Sequence, residues 1–228
     1  TPACFEPSLD YVVVKIPRWT FEKFPKADSR LTIQMKSVGE AMAIGRTFPE
    51  ALGKAIRSLE IDRHGLDDGG PDLPREEVAA RLATPTPERL FHVRRGFRTG
   101  MEIPEIHAIT GIDPWFLAQI RETLDLEPAL ADPARADDAD LLRIAKGSGY
   151  SDRAIARLRG DAEEEVRQMR LARGIRPVYK RIDTCAAEFE SFTPYMYGTY
   201  EQVCEADPTP KKKVIILGSG PNRIGQGI

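Results

Sequence analysis

Gly45-Arg-Thr-Phe-Pro-Glu-Ala-Leu-Gly-Lys-Ala-Ile-Arg-Ser-Leu59 is the stretch where the chain changes its hydrophobic period. Phe48, Ala51, Leu52, Ala55, Ile56 and Leu59 recur at i, i+3, i+4, i+7, i+8 and i+11, which is one face of an amphipathic helix. Thr47 stands at the N-cap, and Glu50 three residues on completes a capping box, a device worth about 1 kcal/mol. Upstream the pattern is that of strands. Tyr11-Val-Val-Val-Lys-Ile16 is β-branched and ends at Pro17, Leu31-Thr-Ile-Gln-Met35 alternates with period two, and Glu40-Ala-Met-Ala-Ile44 reads as a third short strand. Residues 1–67 are therefore expected to be mixed α/β.

Downstream, Asp67-Asp-Gly-Gly-Pro-Asp-Leu-Pro74 has the composition of a linker. Beyond it helices are expected over Glu76–Leu82, Glu88–Phe97, Pro114–Leu126, Ala139–Lys146, Asp152–Leu158 and Ala162–Arg173. Asp113 is the N-cap of the third, Pro114 takes its first position, and Ile112 is placed to staple against Leu117. Ser151 and Asp161 are the expected caps of the last two, Asp161 with Glu164 three on, and Gly147, Gly149, Gly160 and Gly174 are the expected stops. Trp115 and Phe116 stand about 100° apart on their helix, so one is expected in the core and its neighbour against a partner. No strand-like alternation occurs between residues 75 and 175, which makes the middle an all-α module. Extended character returns over Val178–Phe189 and Thr193–Tyr200. A second linker, Asp207–Lys213, leads to a short apolar strand, Val214-Ile-Ile-Leu217, and a turn, Gly218-Ser-Gly220.

Charge narrows the function classes. The 228 residues carry 33 Lys and Arg against 35 Asp and Glu, a net charge of −2, which argues against a cationic coat for nucleic acid. Locally the balance is uneven: residues 141–181 hold 11 basic and 5 acidic side chains, and residues 68–140 hold 8 and 15. The run Leu141–Ile155 resembles a helix-turn-helix, so a nucleic-acid-binding module is the alternative reading. Against it, the would-be recognition helix opens on Asp152, and opposite charges can instead complement one another within the module or across a subunit contact. Cys4, Cys185 and Cys204 form no C-x-x-C pair, and His64, His92 and His107 share no metal-ligand spacing. The histidines are expected at the surface or in linkers, and Cys185 is expected as a small buried residue. No apolar run is long enough for a membrane span, and the cysteine usage fits a reducing cytosol. The Gly218–Gly225 turn departs from the dinucleotide fingerprint because Arg223 stands where the third glycine is needed. It can still direct backbone N–H groups at an anion. The opening at Thr1 and the end within a glycine-rich turn are read as those of a piece of a longer chain.

Four motifs carry a resemblance. Lys15-Ile-Pro-Arg-Trp-Thr-Phe-Glu-Lys-Phe24, Gln34-Met-Lys-Ser-Val-Gly-Glu-Ala-Met-Ala-Ile-Gly-Arg46, Pro177-Val-Tyr-Lys-Arg-Ile-Asp-Thr-Cys-Ala-Ala-Glu-Phe189 and Gly220-Pro-Asn-Arg-Ile-Gly-Gln-Gly-Ile228 closely resemble the large subunit of carbamoyl phosphate synthase. The resemblance implies an α+β piece with three parts. Residues 1–67 would be the α/β tail of the first ATP-grasp domain, 68–205 a helical oligomerisation domain, and 206–228 the linker, first strand and Gly-rich loop of the second half. It also implies a cytoplasmic, ATP-dependent ligase of arginine and pyrimidine biosynthesis that makes carbamoyl phosphate from bicarbonate, ammonia and two ATP. ATP and Mg or Mn would serve the parent enzyme with no ligand for either in this piece, and a small glutamine amidotransferase subunit would be its partner. By motif alignment Ile16, Met42 and Gly227 are implied wall positions of the internal carbamate tunnel, where apolar packing keeps water from an unstable intermediate.

Overall fold

The computed structural model describes residues 3–67 and 69–218, and the backbone of 222–223. The β-branched run before Pro17 forms β1 (Val12–Arg18), which pairs antiparallel along its whole length with β2 (Gly39–Gly45), Val12 opposite Gly45 and Arg18 opposite Gly39. A two-residue strand, Asn222–Arg223, adds to the other edge of β2 at Glu40 and Gly39. Helix α1 (Phe48–Ser58) packs on the inner face, burying Ala51, Leu52, Ala55 and Ile56. Its start follows the expected box with one change. Thr47 Oγ1 accepts the Glu50 N–H, while the Glu50 carboxylate takes the N–H of Arg46, one residue before the cap, at 2.7 Å.

Eight more helices follow: α2 (Arg75–Ala83), α3 (Arg89–Arg98), α4 (Ile103–Thr110), α5 (Pro114–Leu124), α6 (Glu127–Ala131), α7 (Ala139–Gly147), α8 (Asp152–Arg159) and α9 (Glu163–Ala172). An antiparallel pair follows the helices, β3 (Val178–Arg181) with β4 (Met196–Thr199). Two apolar clusters form. The first joins Leu52 and Ile56 of α1 to Val78, Phe97, Ile106 and Leu117 of α2–α5, so this core runs continuously across residue 67. The second gathers Leu130, Leu142, Ile155, Val166 and Ile175 from α6 to the end of α9.

Several elements differ from expectation. Leu31–Met35 is not a strand: Ile33 and Met35 stand almost fully in solvent, and alternation without a ladder partner does not make a sheet. Val214–Leu217 is likewise not a strand; all four side chains are at least 85% exposed. Helices α4 and α6 were not anticipated; Pro104 and Pro128 sit in their first turns, where no N–H is needed. Asp161 does not cap α9. Its N–H closes α8 on Ala156 O after the left-handed Gly160, and the next residue, Ala162, receives the side chain of Glu165 on its N–H at 2.8 Å. Asp113 and Ser151 do cap, and Gly149 and Gly174 take the left-handed backbone expected of stops, whereas Gly147 lies inside α7. His92 is buried and Cys185 only half-buried, the reverse of expectation. Neither Trp115 nor Phe116 enters the core, which α5 fills instead with Leu117, Ile120 and Leu124.

The two clusters meet where α1 crosses the turn after α7. A Cβ placed on Gly53 would lie 2.7 Å from Gly149 O, and one on Gly149, at φ +89°, would lie 2.7 Å from Pro49 O. Both obstacles are backbone, so neither can swing aside. Gly53→Ala and Gly149→Ala are each expected to lower stability by about 1–3 kcal/mol. Urea unfolding is the check, and wild-type stability in Gly149→Ala would contradict the contact.

Candidate functional site

The polar groups of the molecule converge on one seam between α1, α7–α9 and β4. Asp152, one residue past the Ser151 cap, is its anion. Arg170 donates to both carboxylate oxygens at 2.8–3.1 Å, and Lys146 to one at 2.7 Å. Both cations are buried, and both lie over the ring of Tyr200, at 5.7 and 5.1 Å from its centroid. Against its own burial, the bonds from Arg170 and Lys146 hold the Asp152 carboxyl below the ordinary range. Burial pushes Lys146 down to about 8, opposed by Asp152 and reinforced by Arg170 and Arg57. Arg57 donates to Gly149 O at 2.7 Å.

The other end of the seam is built on Glu50, 2% exposed. Beyond the Arg46 N–H its Oε2 accepts from Thr199 Oγ1 of β4 at 2.9 Å, and its Oε1 lies 3.2 Å from Lys54 Nζ. Lys54 in turn donates to Ile44 O and Gly198 O, and burial lowers its pKa. Arg46 bridges Glu201 and Asp10, both at 2.6 Å. A glutamate in the first turn of α1 thereby ties β2, α1 and β4 together. The capping motif marked Glu50; nothing in the sequence marked Asp152 as a hub, since its partners lie 6, 18 and 48 residues from it in the chain.

Of the residues implied as tunnel wall, Ile16 and Met42 stand on opposite faces of one sheet. Ile16 faces Ala41 and Met42 faces Lys15 in the β1–β2 register, so consecutive positions send them to opposite sides of the sheet. Ile16 packs against the first cluster, Met42 is 58% exposed, and Gly227 lies outside the described residues. Among the described residues no group of three or more His, Cys, Asp and Glu side chains is arranged to hold a metal ion, and no helix is long and apolar enough to cross a membrane. The helix-turn-helix reading loses three of its cations. Lys146 and Arg170 are engaged by Asp152, and Arg159 donates to Leu130 O and Ala136 O.

Removing Asp152 and removing Lys146 should have unequal effects. Asp152→Asn leaves Lys146 and Arg170 buried beside Arg57 without a counter-ion and is expected to cost about 3 kcal/mol or more. Lys146→Met leaves the Arg170–Asp152 pair intact and relieves cation repulsion, so a change within about 1 kcal/mol is expected. Between pH 8 and 10 the unfolded chain keeps a proton on Lys146 that the folded chain has lost, so this residue makes stability rise with pH there. Urea unfolding across that window should show the slope diminish in Lys146→Met; an unchanged slope would contradict the assignment.

Residues 40–174 match the family model for the carbamoyl-phosphate synthetase large chain, oligomerisation domain. Over its whole length the chain is 57% identical to the carbamoyl phosphate synthase large chain of Xanthomonas campestris pv. campestris, 55% to that of Myxococcus xanthus and 56% to that of Thermotoga neapolitana. It covers 22%, 22% and 20% of those proteins, and so spans about a fifth of the length of the curated relatives it matches. With the seam and both apolar clusters formed largely by the matched residues, the chain belongs to the carbamoyl-phosphate synthetase large chain family and carries its oligomerisation domain.

Proposed function

We propose that this chain acts within a carbamoyl phosphate synthase large chain, a cytoplasmic ligase that forms carbamoyl phosphate from bicarbonate, ammonia and two ATP for arginine and pyrimidine biosynthesis. The observation that carries the reading is the family match over residues 40–174 together with identity above 50% along the whole chain to proteins about five times its length. In this reading residues 1–67 finish the first ATP-grasp domain, 68–205 mediate self-association, and 206–228 lead into the second half. A small glutamine amidotransferase subunit supplies the ammonia. ATP and Mg or Mn are held by parts of the parent outside this chain, so the chain alone is catalytically inert. The exposed apolar side chains Val13, Ile33, Met35 and Val214–Leu217 support the reading, because such surface calls for a covering partner.

Self-association is tested by sedimentation of the 228-residue chain at several concentrations and ionic strengths. Dimers or larger species are expected, and a strictly monomeric chain at hundreds of micromolar in low salt would refute the role. Titration with Mg-ATP is expected to show no micromolar, magnesium-dependent binding.

The tunnel assignment is tested in the whole large chain. If Ile16, Met42 and Gly227 line a carbamate route on two sides of the sheet, Met42→Glu should lower carbamoyl phosphate synthesis while sparing bicarbonate-dependent ATP hydrolysis. Equal loss of both would point to simple structural damage.

A further inference from the structure

Beside the crossing of α1 and the turn after α7 lies a cleft of about 570 Å³, a volume within the range of small-molecule sites. Gly53 and Gly149 of the crossing both line it, and α1, α5 and α8 form its sides. Leu52, Ile56, Leu66 and Leu124, all buried members of the first cluster, supply an apolar wall. Every residue that lines it falls within the matched segment, 40–174.

The charge around this wall divides into two sets. Among the described residues the lining carries five carboxylates and three arginines. Arg94, 4% exposed, spans Glu127 and Asp67 at 2.9 and 3.2 Å, and Arg157 reaches Asp67 at 3.5 Å, so two cations and two anions cancel. What is left is Asp62, Asp161, Glu163 and Arg153, all exposed and none in an ion pair among the described residues. Three anions thus face one cation, an excess of two negative charges on the rim. His64 lines the same rim within electrostatic reach of Arg153, Glu163 and Asp62. Burial, reinforced by Arg153, lowers its pKa, so the imidazole does not offset the excess at neutral pH.

An apolar wall with an anionic rim selects its occupant. An anion would meet the excess charge, and a neutral apolar molecule would leave it uncompensated. A bare metal ion would leave the wall wet, and among the described residues no group of three or more His, Cys, Asp and Glu side chains is arranged to hold one. We propose that the cleft binds a small amphipathic organic cation. Its apolar body would lie against Leu52, Ile56, Leu66 and Leu124, and its protonated amine or amidinium among Asp62, Asp161 and Glu163. The site does not depend on self-association. Because the cleft is walled by both α1 and α8, an occupant would brace the crossing and stabilise the folded chain.

The probes are 2-phenylethylamine and benzamidine, both cationic at pH 7, with 2-phenylethanol as the uncharged counterpart. Each is titrated calorimetrically into the 228-residue chain. Both cations are expected to bind about fivefold or more tightly than the alcohol, with the advantage shrinking as salt is added. Asp62→Asn combined with Glu163→Gln should weaken cation binding by about fivefold, because the rim then loses its excess. Asp62 has φ +56°, a conformation that Asn also tolerates, and Glu163 is exposed, so helical circular dichroism should be retained. Arg153→Gln raises the excess from two charges to three and should tighten cation binding several-fold. Opposite effects from two sets of exposed rim residues are not what loss of fold produces. Cations that bind no better than the alcohol, affinities unchanged in these variants, or no binding of either cation at about 10 mM would overturn the site.

Discussion

Where α1 crosses the turn after α7, two glycines allow main chain to touch main chain. Gly53 faces Gly149 O, Gly149 faces Pro49 O, and Arg57 fastens the same Gly149 carbonyl from the next turn of α1. One apolar cluster lies on each side of this crossing, so the relative position of α2–α5 and α7–α9 depends on how closely α1 can approach. A side chain at either glycine would hold the two halves apart, and the cleft beside the crossing would change shape with them.

Around that crossing the electrostatics follow from too few anions. Asp152 faces Lys146 and Arg170 with Arg57 nearby, and Glu50 must satisfy a backbone N–H, a threonine hydroxyl and Lys54 at once. Burying several cations on one carboxylate is tolerable because Tyr200 offers its ring face to two of them and Lys146 can shed its proton near pH 8. The uneven distribution of charge along the sequence is therefore resolved partly inside the molecule. Some of it pairs across the two halves, as in Arg173 with Asp137 at 2.5 Å, and some within the basic half itself.

Local chemistry was the legible part of the sequence. Thr47 with Glu50, Asp113 with Pro114, and Ser151 each placed a helix start, because a cap is decided within four residues. Helices α4 and α6 went unread because eight and five residues are too few to display a helical period. Leu31–Met35 alternated without a strand beside it. The aromatic pair at 115–116 was read by its angular separation alone. What keeps both rings outside is that Leu117, Ile120 and Leu124 already occupy the inner face and Phe48 holds the rings from beneath. Beyond Glu50, which the capping motif marked, the ionic seam could not be read, because its members are assembled only by tertiary folding. The four long motifs compensated at a different level: the family they resemble is the one that the match over residues 40–174 establishes.

The pairing of Asn222–Arg223 with Gly39–Glu40 gives β2 one neighbour from before it in the chain and another from the far end. The nine α-helices of the described residues thus form a loop whose two ends are stitched into a single small sheet. Such a closed circuit acts as a mechanical lever. A pull on the chain after Arg223 is delivered to β2, passes through Gly45 and the Glu50 carboxylate into α1, and arrives at the crossing on Gly149 without travelling through the helices in between. Force transmitted through Arg223 would accordingly reach Gly149 by way of β2 and α1 alone.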